Sequence, residues 1–183
     1  MDEAAFRTEA ARLGVEDAVA VDQLLEFANL LRQWNTAMNL VSRRDVHRVL
    51  ERHVLDSLRC LSHLDSTDDL LDIGSGGGFP GLVLAIADRE RPVVLLDRSE
   101  KKCRYLARVG DELGLDNLAV VCGDAADHRP EQPYGFVTSR AVADVETVWR
   151  WCQPLLREAG KLIHMTGEQH ITTRVRAQAE AAG

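Results

Sequence analysis

Asp72–Gly81 reads DIGSGGGFPG, with five glycines and one proline in ten residues. Glycine loses more conformational freedom on folding than any other residue, so such a run needs a backbone reason. The stretch follows the apolar DLLDI (69–73) and precedes a helical pattern over 80–88, which makes it a tight turn from a strand into a helix. Glycines there permit positive φ and close approach of a ligand to the main chain, and a helix start offers unpaired N–H groups. Pro80 suits that first turn, where its missing N–H costs nothing.

Working outward, the short apolar run recurs in PVVLLD (92–97), NLAVVC (117–122), YGFVTS (134–139) and KLIHMT (161–166). Helical patterns over 80–88, 99–113 and 142–156 separate these runs. The alternation predicts an α/β, Rossmann-like fold, a mostly parallel sheet with helices on both faces. Such sheets bind ligands at the carboxyl ends of their strands. A further helix is expected from Glu168, ending in QAEAAG with no strand after it. Residues 1–64 read as helix. Val21, Leu24, Leu25, Ala28 and Leu31 recur at helical spacing, as do Val46, Val49, Leu50, His53, Val54, Leu58 and Leu61. Gly14 divides the first helix from the second, and NLVSRR (39–44) divides the second from a third that Asp45 is expected to cap. The chain thus divides into an N-terminal helical extension, 1–64, and an α/β core, 65–183.

The 183 residues are 45% hydrophobic and 28% charged, as in ordinary globular domains, and their apolar runs are too short to span a bilayer. The N-terminal MDEAAFRTEAARLG lacks the basic start and apolar core of a secretory signal, so a cytoplasmic protein, acting as a monomer and away from membranes, is expected. The four cysteines form no CxxC pair and the six histidines no HxxxH or HExxH, which points to free thiols and to no metal site. A net charge of −7 argues against nucleic acid as partner. The charge is uneven, however. Arg43–Arg59 holds five arginines against three acids, and Arg98–Arg108 five bases against Glu100 alone. These are either solvated helix faces or two basic patches on an acidic body.

The glycine turn fits two registers. Gly76, Gly78 and Gly81 satisfy GxGxxG, the dinucleotide fingerprint of nicotinamide-dependent oxidoreductases. Asp72, Gly74, Gly76 and Gly78 satisfy DxGxGxG, which resembles the first motif of class I S-adenosylmethionine methyltransferases. In both families an acid ending the second strand holds ribose hydroxyls, and Asp97 supplies it. Asp72 and the shortness of the chain beyond residue 166 favour the methyltransferase register. There Asp72 lies near the methionine amino group, while Phe79 and the Asp124–Ala125–Ala126 backbone flank the adenine. Asp124 alone reads almost as well as a turn cap.

The fourth strand bears on the reaction. TSRAV (138–142) contains no acid, histidine or cysteine, which disfavours substrates that need proton abstraction or covalent activation. Guanine N7 fits, since its lone pair carries no proton and the site has chiefly to align donor with acceptor. Arg140 is the candidate catalytic residue, binding a phosphate, the guanine O6 or the cofactor.

WNTAMNLVSRRD (34–45), RHVLDSL (52–58), DIGSGGGFPG (72–81), LLDRSEKKCRYL (95–106) and SRAV (139–142) together resemble the bacterial small-subunit ribosomal RNA guanine-N7 methyltransferases, also called glucose-inhibited division protein B. The resemblance covers nearly the whole chain. It implies S-adenosylmethionine as methyl donor, and one guanine of 16S rRNA, free or in the small subunit, as acceptor. It places Gly74, Phe79, Ala125, Ala126 and Arg140 on the cofactor, with Asp97 on its ribose. Asn39, Arg44, Arg52, His53 and Asp56 fall on the RNA or active-site side. Two departures stand out. Thr166 occupies a position where the family commonly has lysine, and the chain stops at Gly183, so the sheet is expected to lack its last antiparallel hairpin. A methyltransferase for a small molecule and an RNA-binding module without turnover are the competing readings.

Overall fold

The computed structural model describes residues 1–166 and 170–177. Six strands form one sheet: β1 (Leu70–Ile73), β2 (Val93–Asp97), β3 (Leu118–Cys122), β4 (Tyr134–Arg140), β5 (Leu156–Thr166) and β6 (His170–Val175). Their order is β3-β2-β1-β4-β5-β6, with β1 to β5 parallel and β6 antiparallel to β5. The first four apolar runs therefore land on strands within one residue. The chain moves outward from β1 through β2 to β3 and then returns to the other side of β1 with β4. This reversal opens a crevice at the carboxyl ends of β1 and β4, where sheets of this kind bind ligands.

Helices α1 (Glu3–Arg12), α2 (Ala18–Met38), α3 (Asp56–Leu58), α4 (Gly81–Ala87), α5 (Glu100–Glu112) and α6 (Val145–Cys152) surround the sheet. One face carries a single core in which Phe6, Leu24, Phe27 and Leu31 of the N-terminal helices join Leu82, Leu95 and Leu106. The extension shares this core with the sheet and so does not hang from it. The other face is covered by α6, with Val148 and Cys152 packed against Leu71, Val137 and Leu162. Asp17 begins α2 by accepting N–H groups from Val19 and Ala20, and Asn39 ends it at φ 50°. Burying Phe27 completely stabilises this docking by roughly 2–3 kcal/mol.

Three expectations need correction. The third helix is a series of short turns, Val46–Arg48, Leu50–Leu55, α3 and Arg59–His63, of which Leu50–Leu55 is the wide π form. Asp45 does not cap it. Its carboxylate accepts the Ser42 hydroxyl at 2.6 Å, closing the loop after α2. β5 begins at Leu156, ahead of the expected Lys161, because a register shift opposite Tyr134 lets Gly160 lie flat against the Tyr134 and Gly135 carbonyls. Finally, part of the stretch expected as a helix from Glu168 is β6. Ile171, Thr172, Thr173 and Val175 are β-branched and favour extended backbone, and β5 offers them an open edge. The sheet thus does end in an antiparallel pair. QAEAAG lies outside the described residues.

Candidate active site

The glycine turn is packed from both sides. Gly74, Gly76 and Gly78 all have positive φ. On the sheet side, a Cβ on Gly81 would sit 2.5 Å from both the Asp72 Cβ and Leu95 Cδ2. On the helix side, one on Gly78 would press on Phe27 and Leu82 at 3.2 and 3.1 Å. The run of glycines therefore serves close packing as much as ligand approach. Gly76 donates its N–H to Asp97 Oδ2 at 2.9 Å, and Ser99 donates to Oδ1 at 2.9 Å. Tyr105 donates its hydroxyl to the Gly77 carbonyl at 3.3 Å.

Beside the turn lies a cavity of about 300 Å³ at the carboxyl ends of β1 to β4. Of the residues expected on the cofactor, Gly74, Asp97, Asp124, Ala125 and Arg140 line it. Asp124 also accepts the Ala126 N–H at 3.0 Å, so it shapes its own turn. Ala126 faces an adjoining hollow with Arg129 and Trp151. Gly76 is one hydrogen bond away, through Asp97, while Gly78 and Phe79 lie on the far side of the turn against α2. Asp72 does not line the cavity. It is fully buried on the α4 face of β1, accepting the Thr138 hydroxyl at 2.9 Å and the Gly81 N–H at 3.1 Å. Burial pushes its carboxyl up to about 6, against hydrogen bonds from Thr138, Ser75 and Gly81. Its place in the structure is to hold the turn onto β1.

Arg140 joins the cavity to the N-terminal residues. Its guanidinium lies 5.3 Å over the Phe79 ring, hydrogen-bonds His53 Nδ1 and stands 3.8 Å from Asp56 Oδ2. His53 in turn stacks on Phe79, with centroids 4.9 Å apart. Burial and then the Arg140 charge lower the His53 imidazole to about 4, so it is neutral and accepts from Arg140. Burial also lowers Arg140, while Asp56 and Asp72 oppose the shift. Two buried atoms of this cluster, His53 Nε2 and Arg140 Nη1, have no hydrogen-bond partner. Buried polar atoms are normally paired, so such atoms ask for a ligand or water.

The other N-terminal residues spread out. Arg52 pairs with Asp45 at 3.5 Å, and Asn39 and Arg44 are exposed around the loop after α2. The end of α2 that leads into this loop is tied to α5 by Lys101, whose ammonium donates to the Ala37 carbonyl at 3.1 Å. Thr166 is exposed at the end of β5. Sequence reasoning missed Arg98 and Lys102 as cavity residues, although the basic run at 98–108 carried the signal. It also missed a buried pair in which the Ser139 hydroxyl lies 2.7 Å from His164 Nδ1, on neighbouring strands. No sequence spacing marks that pair.

The family model of rRNA small subunit methyltransferase G matches residues 20–182. The chain belongs to that family. A ribosomal RNA small subunit methyltransferase G of Marinobacter nauticus is 44% identical over 146 residues, covering 80% of this chain and 68% of its own. The one from Pseudomonas paraeruginosa is 42% identical over 159 residues, with 86% and 74% covered. Among solved structures, an S-adenosyl-L-methionine-dependent methyltransferase fold from Methanococcus maripaludis superposes with a TM-score of 0.58 at 20% identity, over 78% of this chain and 63% of that one. Membership in this family sets aside the nicotinamide reading of Gly76, Gly78 and Gly81. Among the described residues no helix is long and apolar enough to cross a membrane.

Proposed function

We propose that this protein transfers a methyl group from S-adenosylmethionine to N7 of a guanine in the 16S rRNA of the small ribosomal subunit, in the cytoplasm. The observation that carries the reading is the meeting of two elements at Arg140: a cavity of cofactor size and the family's N-terminal motif residues.

The residues fit the cofactor. Each Asp97 oxygen holds one N–H donor and keeps lone pairs for ribose hydroxyls. Gly74 and Val142 both line the cavity, and a side chain at Gly74 would collide with Val142, whose Cγ2 lies 2.5 Å from where its Cβ would stand. Asp124 and Ala125 form the wall for the adenine, and Arg98 and Lys102 bring positive charge to the rim for the RNA backbone. S-adenosylmethionine supplies a methyl group on a sulfonium, and the positive charge passes to the guanine ring with the methyl. No proton has to leave N7, so the protein aligns the partners and excludes water. Arg140 is suited to this alignment, being a donor rather than a base and held by Phe79, His53 and Asp56. Its Nη1, lacking a hydrogen-bond partner, can take the guanine O6 or a phosphate oxygen. Neutral His53 is a positioning residue for that guanidinium.

The test is to incubate the protein with labelled S-adenosylmethionine and either naked 16S rRNA or small subunits, and to digest the RNA for nucleoside mass spectrometry. N7-methylguanosine is expected on one of them. Its absence from both, with cofactor binding intact, overturns the reading.

A further inference from the structure

The cysteines are absorbed by neither the cofactor nor the RNA reading. Cys60, Cys103 and Cys152 are buried and Cys122 is exposed, and all four are free thiols. Two of them stand beside residues of the cavity wall, Cys103 next to Lys102 and Cys122 next to Gly123. α5 lies along β3 in the opposite direction, and one contact fixes their register: a Cβ on Gly110 would sit 2.8 Å from Leu118 Cδ2, at the start of β3. Two turns earlier on the same helix face stands Cys103, level with the far end of β3. There Cys122 points to the same side, because Leu118 and Val120 pack on the α5 face and alternate residues share a face. The Cys103 thiol donates to the Asp97 carbonyl at 3.1 Å and lies 3.9 Å from the carbonyl of Val121, the residue before Cys122.

We infer that Cys103 and Cys122 are a reversible disulfide site, formed by hydroperoxides, that regulates binding in the adjoining cavity. The inference rests on the reading of that cavity as the cofactor site. The chemistry is ordered. Exposed Cys122, as thiolate, attacks the peroxide O–O bond, releasing an alcohol or water and becoming a sulfenic acid. The Cys103 sulfur then displaces hydroxide, which takes up the thiol proton and leaves as water. Two thiols thus give up two electrons and two protons to one hydroperoxide. The reverse order is disfavoured, since burial and the neighbouring Cys122 push the Cys103 thiol up to about 12. The consequence for binding follows from position. Cys122 directly precedes Gly123, Asp124 and Ala125 of the cavity wall, and Asp97, whose carbonyl holds the Cys103 thiol, is its ribose-binding acid. A bond between the two sulfurs needs them to close to about 2 Å, which draws the end of β3 toward α5. That movement carries the wall with it.

The experiment treats the full chain with hydrogen peroxide, maps cross-links by peptide mass spectrometry, and measures S-adenosylmethionine affinity by calorimetry before oxidation, after it, and after dithiothreitol. The expected result is a Cys103–Cys122 cross-link, a mass lower by two hydrogens, an affinity about tenfold weaker and recovery on reduction. Cys122→Ser and Cys103→Ser should each form no cross-link and keep their affinity in peroxide. Oxidation of Cys122 that stops at sulfinic acid, a cross-link at another pair, or a cross-link with unchanged affinity overturns the inference. If the reduced protein binds no S-adenosylmethionine, the cofactor reading fails, and the cross-link map still decides whether the thiols pair.

Discussion

Two arginines, Arg91 buried and Arg140 half-buried, stand at opposite ends of the sheet, each with its guanidinium 5.3 Å over a phenylalanine ring. Arg91, at the amino end of β2, is 3% exposed. It donates to Asp88 Oδ2 at 3.1 Å, to the Ser66 carbonyl at 2.6 Å and to the Asp68 carbonyl. Each of its three nitrogens thus donates within this chain. Arg140, at the carboxyl end of β4, touches His53 and stands near Asp56, yet its Nη1 has no hydrogen-bond partner. The same side chain over the same ring is finished in one place and open in the other. A guanidinium whose every nitrogen is hydrogen-bonded within the chain belongs to the fold, whereas one with a buried nitrogen left without a hydrogen bond is set to receive something.

The sharpest way to break this comparison is to truncate both arginines. Arg91→Met should lower the unfolding free energy by about 3 kcal/mol, because three acceptors lose a charged donor. Denaturant unfolding measures it, and S-adenosylmethionine affinity of the folded fraction should stay unchanged. Arg140→Met should reverse the pattern. Its stability cost should be below about 1 kcal/mol, while turnover on rRNA should fall about 100-fold, equivalent to ~2.7 kcal/mol in the barrier. Equal stability losses for the two variants would erase the distinction.

A smaller effect concerns pH. The native state holds His53 neutral down to about pH 4, so its contribution to stability is lost as pH falls from 6.5 toward 4. Asp72 behaves oppositely. Its raised carboxyl favours the protonated native form, so its contribution is lost as pH rises from 3.8 to about 6. Over pH 4–6 the two slopes offset. His53→Gln should therefore lose stability with rising pH relative to the parent, and Asp72→Asn should gain it, each by on the order of 2 kcal/mol across that window. Parallel curves for parent and variants would show that neither group titrates as its burial implies.

The smallest predicted effect is on the tie between α5 and α2. Lys101→Met removes one exposed hydrogen bond to the Ala37 carbonyl and should cost less than about 1 kcal/mol by the same unfolding assay.

How much of this was legible in the sequence depends on whether the signal was local. Strands β1 to β4 announced themselves as short apolar runs, and the glycine turn as a strand-to-helix punctuation. β6 did not, because HITTRV is mostly exposed and carries no buried alternation; its strand form comes from the open edge of β5. Asp97 was placed on the cavity because it ends a strand. Asp72 looked equivalent, but it pairs with Leu95 and so lies two residues deeper in the sheet than Asp97, where the Thr138 hydroxyl, 66 residues away, takes its carboxylate. The partnership of His53 with Arg140 spans 87 positions, and only the motifs, not their spacing, hinted that they meet.

The packing of Phe27 against Gly78 has a kinetic consequence. Because α2 rests on the turn itself, the helix cannot lift away without loosening the loop beneath it. Ligand that tightens the loop should slow amide hydrogen exchange throughout the middle of α2, a region that does not line the cavity. The N-terminal helices would then report occupancy of the pocket at a distance, much as a clasp shows whether a box is shut.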